Sequence, residues 1–453
     1  MSVATRVRVR PIWALYVFVV GLALHNFAMA ELYAAGVRGT ALEVVSAWKD
    51  ALLALGLLLV WRAHGFSLRP RPAPIDWLAL GYAGFVCLGA VLPQHWLDGG
   101  ATHRGVVLGV RHDLLPVAAY FFGRGLDLTR RDLRALGATV LASAAAVAAF
   151  GLIDVYAIPL SWWRSSGAPG WFHHALGFTY QGLSNLPQNF VYNLGNGRVY
   201  RRLVSVFLSP LAASYMLVTA LLVAAAWWLR LRPRLLLWVP TTALLFAGLL
   251  WTHSRSSYLA LALGLVVLAL LADRGRLALL AAAAGVVVIG LAFVRAYPHI
   301  GPRTSFTHRE LIEQQRLARA PGAGPAVGGS GLEDASITSH WRSLRQGVQT
   351  VLDHPQGYGP GNSGSTAART NVEVKAGEST YTELGVDAGL AGGLLFVAWS
   401  LVLLWRLAHS SALLAAVLVA MLALGLQTDI IGVPWVVYVV WPLAGWRATH
   451  GEV

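Results

Sequence analysis

The chain has 453 residues, 56% hydrophobic and only 12% charged, with a net charge of +14 and a mean hydropathy of +0.58. Soluble domains carry about 25% charged residues, so roughly half the charge of a water-facing surface is missing. This excludes a cytosolic enzyme, a secreted domain and a nucleic-acid binder, despite the basic balance, and makes lipid the solvent of much of the chain.

Windows of about 19 residues place twelve apolar spans near 12–30, 41–61, 76–93, 105–122, 136–160, 203–229, 235–252, 256–272, 276–294, 380–405, 410–427 and 430–447. They predict an all-α integral membrane protein with about 12 transmembrane helices. Helices 1–9 lie in residues 1–294, with an outside loop at 161–202. A long outside loop follows at 295–379, and helices 10–12 occupy 380–453. The first span follows Arg6, Arg8 and Arg10 and contains Ala28-Met29-Ala30, which mimics a signal-peptidase site. Its apolar stretch is long for a signal peptide, so it reads as a retained helix.

Of 35 basic residues only Lys49 and Lys375 are lysine, leaving 33 arginines. Arg62, Arg69, Arg71, Arg124, Arg130, Arg131, Arg134, Arg230, Arg232, Arg234, Arg274, Arg276, Arg406 and Arg447 all follow even-numbered crossings. The positive-inside rule then puts both termini in the cytoplasm. The lone Cys87 excludes a disulfide within the chain and suggests no thiolate metal site.

The loop 295–379 has a Gly/Pro linker at its centre, 321–331, and an amphipathic helix at 340–353. Trp341, Leu344, Val348 and Val351 recur at helical spacing, with Arg342, Arg345, Gln346 and Gln349 on the other side. Ser339 is placed to cap its start, and Pro355 with Gly357 ends it. No internal repeat is visible.

Candidate chemistry gathers at the outer side. Arg111 lies within the fourth span, Arg202 opens the sixth, and Arg255 sits in the short turn between the seventh and eighth. An intramembrane arginine costs at least about 2.5–3.5 kcal/mol, so each either snorkels or meets an anion. Together with Arg295, Arg303, Arg342 and Arg345 they point to an anion site suited to a lipid-linked pyrophosphate. Glu378, followed by Glu383 and Asp387, reads either as an anion at a helix N-terminus or as a general base. The base would need its pKa lifted from about 4.3 by burial. Lys49 and Asp50 belong to a buried contact that supports helix packing. His173 and His174 are adjacent on a loop, no H-E-x-x-H or D-x-D occurs, and the Gly-rich 357–364 lacks the surroundings of a P-loop. No metal is expected.

Four stretches resemble the O-antigen ligase and O-antigen polymerase superfamily of bacterial membrane glycosyltransferases. Arg202–Pro210 is similar to R-x-x-G-x-F-x-N-P, and His253–Tyr258 to the S-R-[GS] turn. Trp341–Asn362 is similar to an arginine-bearing helix running into H-P-x-G-x-G-x-G-N. Glu378–Gly392 fits H-[NSQ]-x9-G-x-x-G in spacing, with Gly389 and Gly392 in place and Glu378 where ligases carry histidine.

The resemblance implies inverting, metal-independent transfer without a cofactor. The donor is a polyprenyl-pyrophosphate-linked glycan, and the acceptor is a sugar hydroxyl of a glycan or glycolipid. Transfer takes place on the periplasmic or exterior face of a bacterial inner membrane. Glu378 would be the base. Arg202, Arg255, Arg342 and Arg111 would hold the pyrophosphate, supported by Arg345, Arg303, Tyr258 and Tyr381, with 295–379 as a lid. Beyond membrane lipids, a chain-length regulator is a candidate partner and nucleic acid is not. Polymerase stands ahead of ligase because of Glu378. Transport of a lipid-linked oligosaccharide is the more distant alternative, since its polar groups should sit at the midplane.

Overall fold

The structure is a computed structural model that describes residues 11–65, 72–194, 198–231, 234–318 and 335–449. Arg6, Arg8, Arg10, Arg69, Arg71, Arg232 and the linker 321–331 lie outside the described residues.

The first half comprises α1 (Trp13–Ala34), α2 (Thr40–Ser46), α3 (Trp48–Ala63), α4 (Pro74–Val91), α5 (His103–Arg124) and α6 (Arg130–Ala157), then the short α7 (Leu160–Ser165) and α8 (Ala168–Gly170). Next come α9 (Pro210–Leu231), α10 (Leu235–Trp251), α11 (Arg255–Leu271) and α12 (Arg276–Ile300). The loop region carries α13 (His308–Ala318), α14 (Ala335–Asp353) and α15 (Gly364–Arg369). The chain continues with α16 (Thr380–Ser410), α17 (Ala412–Leu424) and α18 (Pro434–Thr449).

Every apolar window overlaps a helix. Among the described residues, seven helices are long and apolar enough to cross a membrane; α2 with α3, bent by 44°, makes an eighth. Helices α10, α11 and α17 are apolar but shorter. A small antiparallel sheet joins β1 (Val191–Asn193), β2 (Val199–Arg201) and β3 (Arg303–Thr304), with Val191 opposite Arg201 and Tyr200 opposite Arg303. The protein is thus an all-α membrane protein with a minor sheet.

Packing follows membrane rules, where close backbone approach and internal polar pairs replace hydrophobic exclusion between helices. A Cβ on Gly123 would lie 1.9 Å from the Pro442 carbonyl, and one on Gly445 2.3 Å from that of Tyr120, so two glycines let α5 and α18 touch. Asp76 on α4 pairs with the buried Arg124 and accepts the Tyr120 hydroxyl at 2.8 Å.

Two boundaries differ from the sequence expectations. The sixth span begins at Pro210, not 203. Residues Ser205–Phe207 form a 3-10 turn, Leu208 takes a left-handed conformation, and Pro210 with its fixed φ opens the helix. The amphipathic helix already includes Ala335, so Ser339 lies within it and not at its start. Its packed face also differs. Glycine at 347 lets it seat on Thr382, and Val351 rests on Gly385, while Trp341 and Val348 stay exposed.

Candidate active site

Arg202 follows β2 directly. Arg201, the last strand residue, turns inward and pairs with Asp154 on α6 at 3.0 Å; both are buried. Asp154 also accepts the Trp163 indole at 2.7 Å, and the Tyr297 hydroxyl donates to the Arg201 carbonyl. Its neighbour therefore faces the other way. The Arg202 guanidinium donates to the Thr252 carbonyl at 2.9 Å and reaches that of His253 at 3.5 Å, over the α10–α11 turn. It lies eight residues before α9 and does not open that helix.

Arg255 is the first residue of α11. Burial lowers the Arg202 pKa to about 10, and the like charge of Arg255 acts in the same direction. His253, left-handed at φ 51°, packs at a tilt against the rings of Tyr192 at 4.1 Å and Tyr297 at 4.8 Å. Burial, then Arg202, then Arg255 push it down to about 3, so it is neutral at physiological pH. Its Nε2 is buried with no hydrogen-bond partner among the described residues. Two guanidiniums, an uncommitted neutral imidazole and a helix N-terminus thus converge, an arrangement that favours a phosphate-type anion.

This cluster connects to the start of α16 through α9. Ser254 and Ser257 bond each other at 2.8 Å, and Ser257 bonds Ser214 on α9 at 2.8 Å. The next residue, Tyr215, bonds Thr428. The carbonyls of Thr428 and Gly425 both accept the Thr380 amide. Glu378 lies two residues before that amide.

Glu378 is half exposed and pairs with His340 of α14 at 2.9 Å. This contact with His340 outweighs burial and holds its pKa below the usual carboxylate range. The lift towards neutrality required of a lone base is therefore not found. Glu378 also sits at φ 65°, a conformation uncommon for a residue with a side chain.

The other predicted residues are dispersed. Arg111 is held by Asp50 through two bonds of 3.0 and 2.8 Å, and Tyr438 donates to the same carboxylate at 2.6 Å. It is therefore a bidentate partner in the bundle, not part of the Arg202–Arg255 cluster. Lys49 approaches His25 at 3.2 Å, a buried contact of the kind the sequence suggested. Arg342 and Arg345 are exposed on α14, and Arg303 is exposed on β3. The Tyr258 hydroxyl donates to the Leu250 carbonyl, and that of Tyr381 to Leu422, each at 2.7 Å.

Sequence reasoning missed two groupings. His112 bridges Asp113 at 2.8 Å and Asp429 at 2.9 Å, beside the buried Glu383 and Asp387. Charged residues inside spans were the available signal, but Asp429 is 317 positions from His112. Arg369 on α15 is held near Arg111; burial first, then Arg111, lowers its pKa to about 10. Among the described residues no three His, Cys, Asp or Glu side chains form a metal-ligating group.

The Gly-rich 357–364 is a turn-rich strap. Gly361 and Asn362 donate backbone amides to Asp387 at 3.2 and 3.3 Å, and the Asn362 side chain binds Gln94 and the Tyr358 and Gly359 carbonyls.

No curated protein matches the sequence. Residues 240–397, about a third of the chain, match the family model described as O-Antigen ligase. That segment takes in Arg255, α14, the strap and Glu378, and it leaves Arg202 and Arg111 outside. Over residues 240–397 the chain is thus similar to the O-Antigen ligase family.

Proposed function

We propose that the protein transfers a glycan from a polyprenyl pyrophosphate carrier to a sugar hydroxyl at the outer face of the membrane, joining one lipid-linked glycan to another as a polymerase. The observation that carries this reading is the juxtaposition of Arg202, Arg255 and the neutral His253 at the start of α11. This lies at the end of the bundle opposite the arginine-rich helix ends. In the proposed topology twelve helices cross the membrane, both termini are cytoplasmic, and the sheet, α13 and α14 are outside.

In the reaction, the acceptor oxygen attacks the anomeric carbon from the face opposite the pyrophosphate. The new C–O bond forms as the bond to the leaving oxygen breaks, and its electron pair stays on the pyrophosphate. The configuration inverts. Arg202 and Arg255 bind the leaving group more strongly as its charge grows, which lowers the barrier rather than merely tightening substrate binding. The acceptor proton passes to the Glu378–His340 pair. A depressed carboxyl pKa makes Glu378 a poor proton acceptor by itself but a good anchor for an imidazole, so His340 takes the proton and Glu378 orients it.

One observation favours the ligase alternative. His340 brings an imidazole to the position where the sequence places glutamate instead of the ligase histidine, which weakens the sequence argument for a polymerase. Purified protein in lipid, given a defined polyprenyl-pyrophosphate oligosaccharide, separates the two readings by gel and mass spectrometry. A ladder of multimers supports the polymerase; a single transfer that requires an added glycolipid acceptor supports the ligase. Arg202→Ala and Arg255→Ala should each lower kcat by roughly 10²–10³-fold, and His340→Ala should abolish turnover while donor binding persists. Absence of product with every acceptor, from folded protein, would overturn glycosyl transfer.

A further inference from the structure

At the end of the bundle opposite Arg202 and Arg255 a cavity of about 860 Å³ opens between helices. It is bounded by the first turns of α6, the last turns of α9 and α11 with residues 272–274 that follow, the α16–α17 junction and the end of α18. Its interior is apolar, lined by Val223, Leu268, Val417, Val440 and Leu443. Its rim is cationic: Arg130, Arg134, Arg230 and Arg274 are exposed there, and none forms an ion pair among the described residues. Arg447 lies deeper, committed to the Ser410 carbonyl at 2.6 Å and placed over the Trp446 ring. Asp273 also lines the cavity, so five arginines face one carboxylate.

The positive-inside bias accounts for arginines at these helix ends, but not for their closing around an apolar hollow. Arg131 and Arg276 lie at the same ends and outside the lining. The combination fits an amphiphile. A free phosphate would leave the hydrocarbon depth unused, and a zwitterionic lipid would leave the guanidiniums without a net counter-charge. We infer that this cavity is a binding site for an anionic phospholipid of the bilayer, its phosphate at the Arg130–Arg134–Arg230–Arg274 rim and its acyl chains along α9, α11, α17 and α18. The site rests on the membrane character of the fold and is independent of the glycosyl-transfer reading.

The test is lipid retention by the full-length protein purified in neutral detergent. It is offered phosphatidylglycerol and phosphatidylcholine of identical acyl chains and read by native mass spectrometry. Wild-type protein should retain phosphatidylglycerol on the order of tenfold better. Arg134→Gln combined with Arg274→Gln should lose that preference, with elution still monodisperse. Arg131→Gln combined with Arg276→Gln removes the same charge from the same face and should keep it. Millimolar inorganic phosphate should not displace the lipid. Equal retention of the two lipids, or equal loss in both paired variants, would overturn the site. So would release by inorganic phosphate, or preferential displacement by a polyprenyl phosphate, which would assign the cavity to the carrier.

Discussion

Two consecutive arginines, Arg201 and Arg202, have opposite surroundings, and their separation sets up the candidate site. Arg201 ends β2 and is buried against Asp154 and the Tyr297 hydroxyl; the chain turns, and Arg202 projects over the α10–α11 turn. The anchor therefore controls the aim of its neighbour. Asp154→Asn keeps the shape and the acceptor for Trp163 but removes the counter-charge, stranding a buried guanidinium. Breaking a buried pair in this way costs about 3–5 kcal/mol. The variant should lose thermal stability in detergent and, where it remains folded, lose transfer activity through misplacement of Arg202. Differential scanning fluorimetry paired with the multimer assay checks both. An unchanged melting temperature would mean that Asp154 does not set the position of β2.

At the scale of elements, the break in α16 at Gly389 decides how the strap reaches the bundle. In a continuous helix the Leu390 amide would bond the Val386 carbonyl. Instead Leu390 donates to Pro355 at 2.8 Å, and Val386 accepts from Tyr358 at 2.7 Å. Gly389 has φ 75° and ψ 171°, a region almost closed to other residues. A Cβ there would also lie 2.8 Å from the Gln356 carbonyl. Gly389→Ala should cost at least about 1–3 kcal/mol and release residues 355–358. Faster hydrogen exchange at the Tyr358 and Leu390 amides would show the release, while Gly84→Ala, which meets nothing within 4 Å, should leave both unchanged. Gly389 and Gly392 were visible in the sequence as spacing alone. The reason for the first is a bond exchange between segments about thirty residues apart. The same limit hid the sheet, whose strands of two or three residues are too short for alternation to register, and hid the pairing of Glu378 with His340. What periodicity did reveal were the apolar helices, since hydropathy is a local property. The boundary at Pro210 was missed because Leu203, Val204, Phe207 and Leu208 are buried apolar residues of an irregular segment, indistinguishable from a helix by hydropathy.

Across the whole molecule, charge is polarised along the bundle axis. The ends of α6, α9, α11 and α18 bring arginines to one face, around the lipid cavity, while the sheet, α13 and the Arg202–Arg255 cluster occupy the other. On the second face several arginines are matched to a carboxylate: Arg111 to Asp50, Arg201 to Asp154, and Arg164 to Glu310 at 2.7 Å. On the first face, Arg130, Arg134, Arg230 and Arg274 at the cavity rim form no ion pair among the described residues, as expected where the counter-charge comes from anionic lipid headgroups. This asymmetry fixes the expected orientation. In a Cys87→Ala background, Arg309→Cys on the exposed start of α13 should react with a membrane-impermeant maleimide in intact spheroplasts. Arg274→Cys, exposed at the α11–α12 turn, should react only after permeabilisation. A single helix, α12, separates the two positions, so the pair reports one crossing without depending on the total number. The opposite pattern would put the Arg202–Arg255 cluster on the cytoplasmic side. Charge polarity would then no longer support transfer at the outer face, even if the cluster binds pyrophosphate.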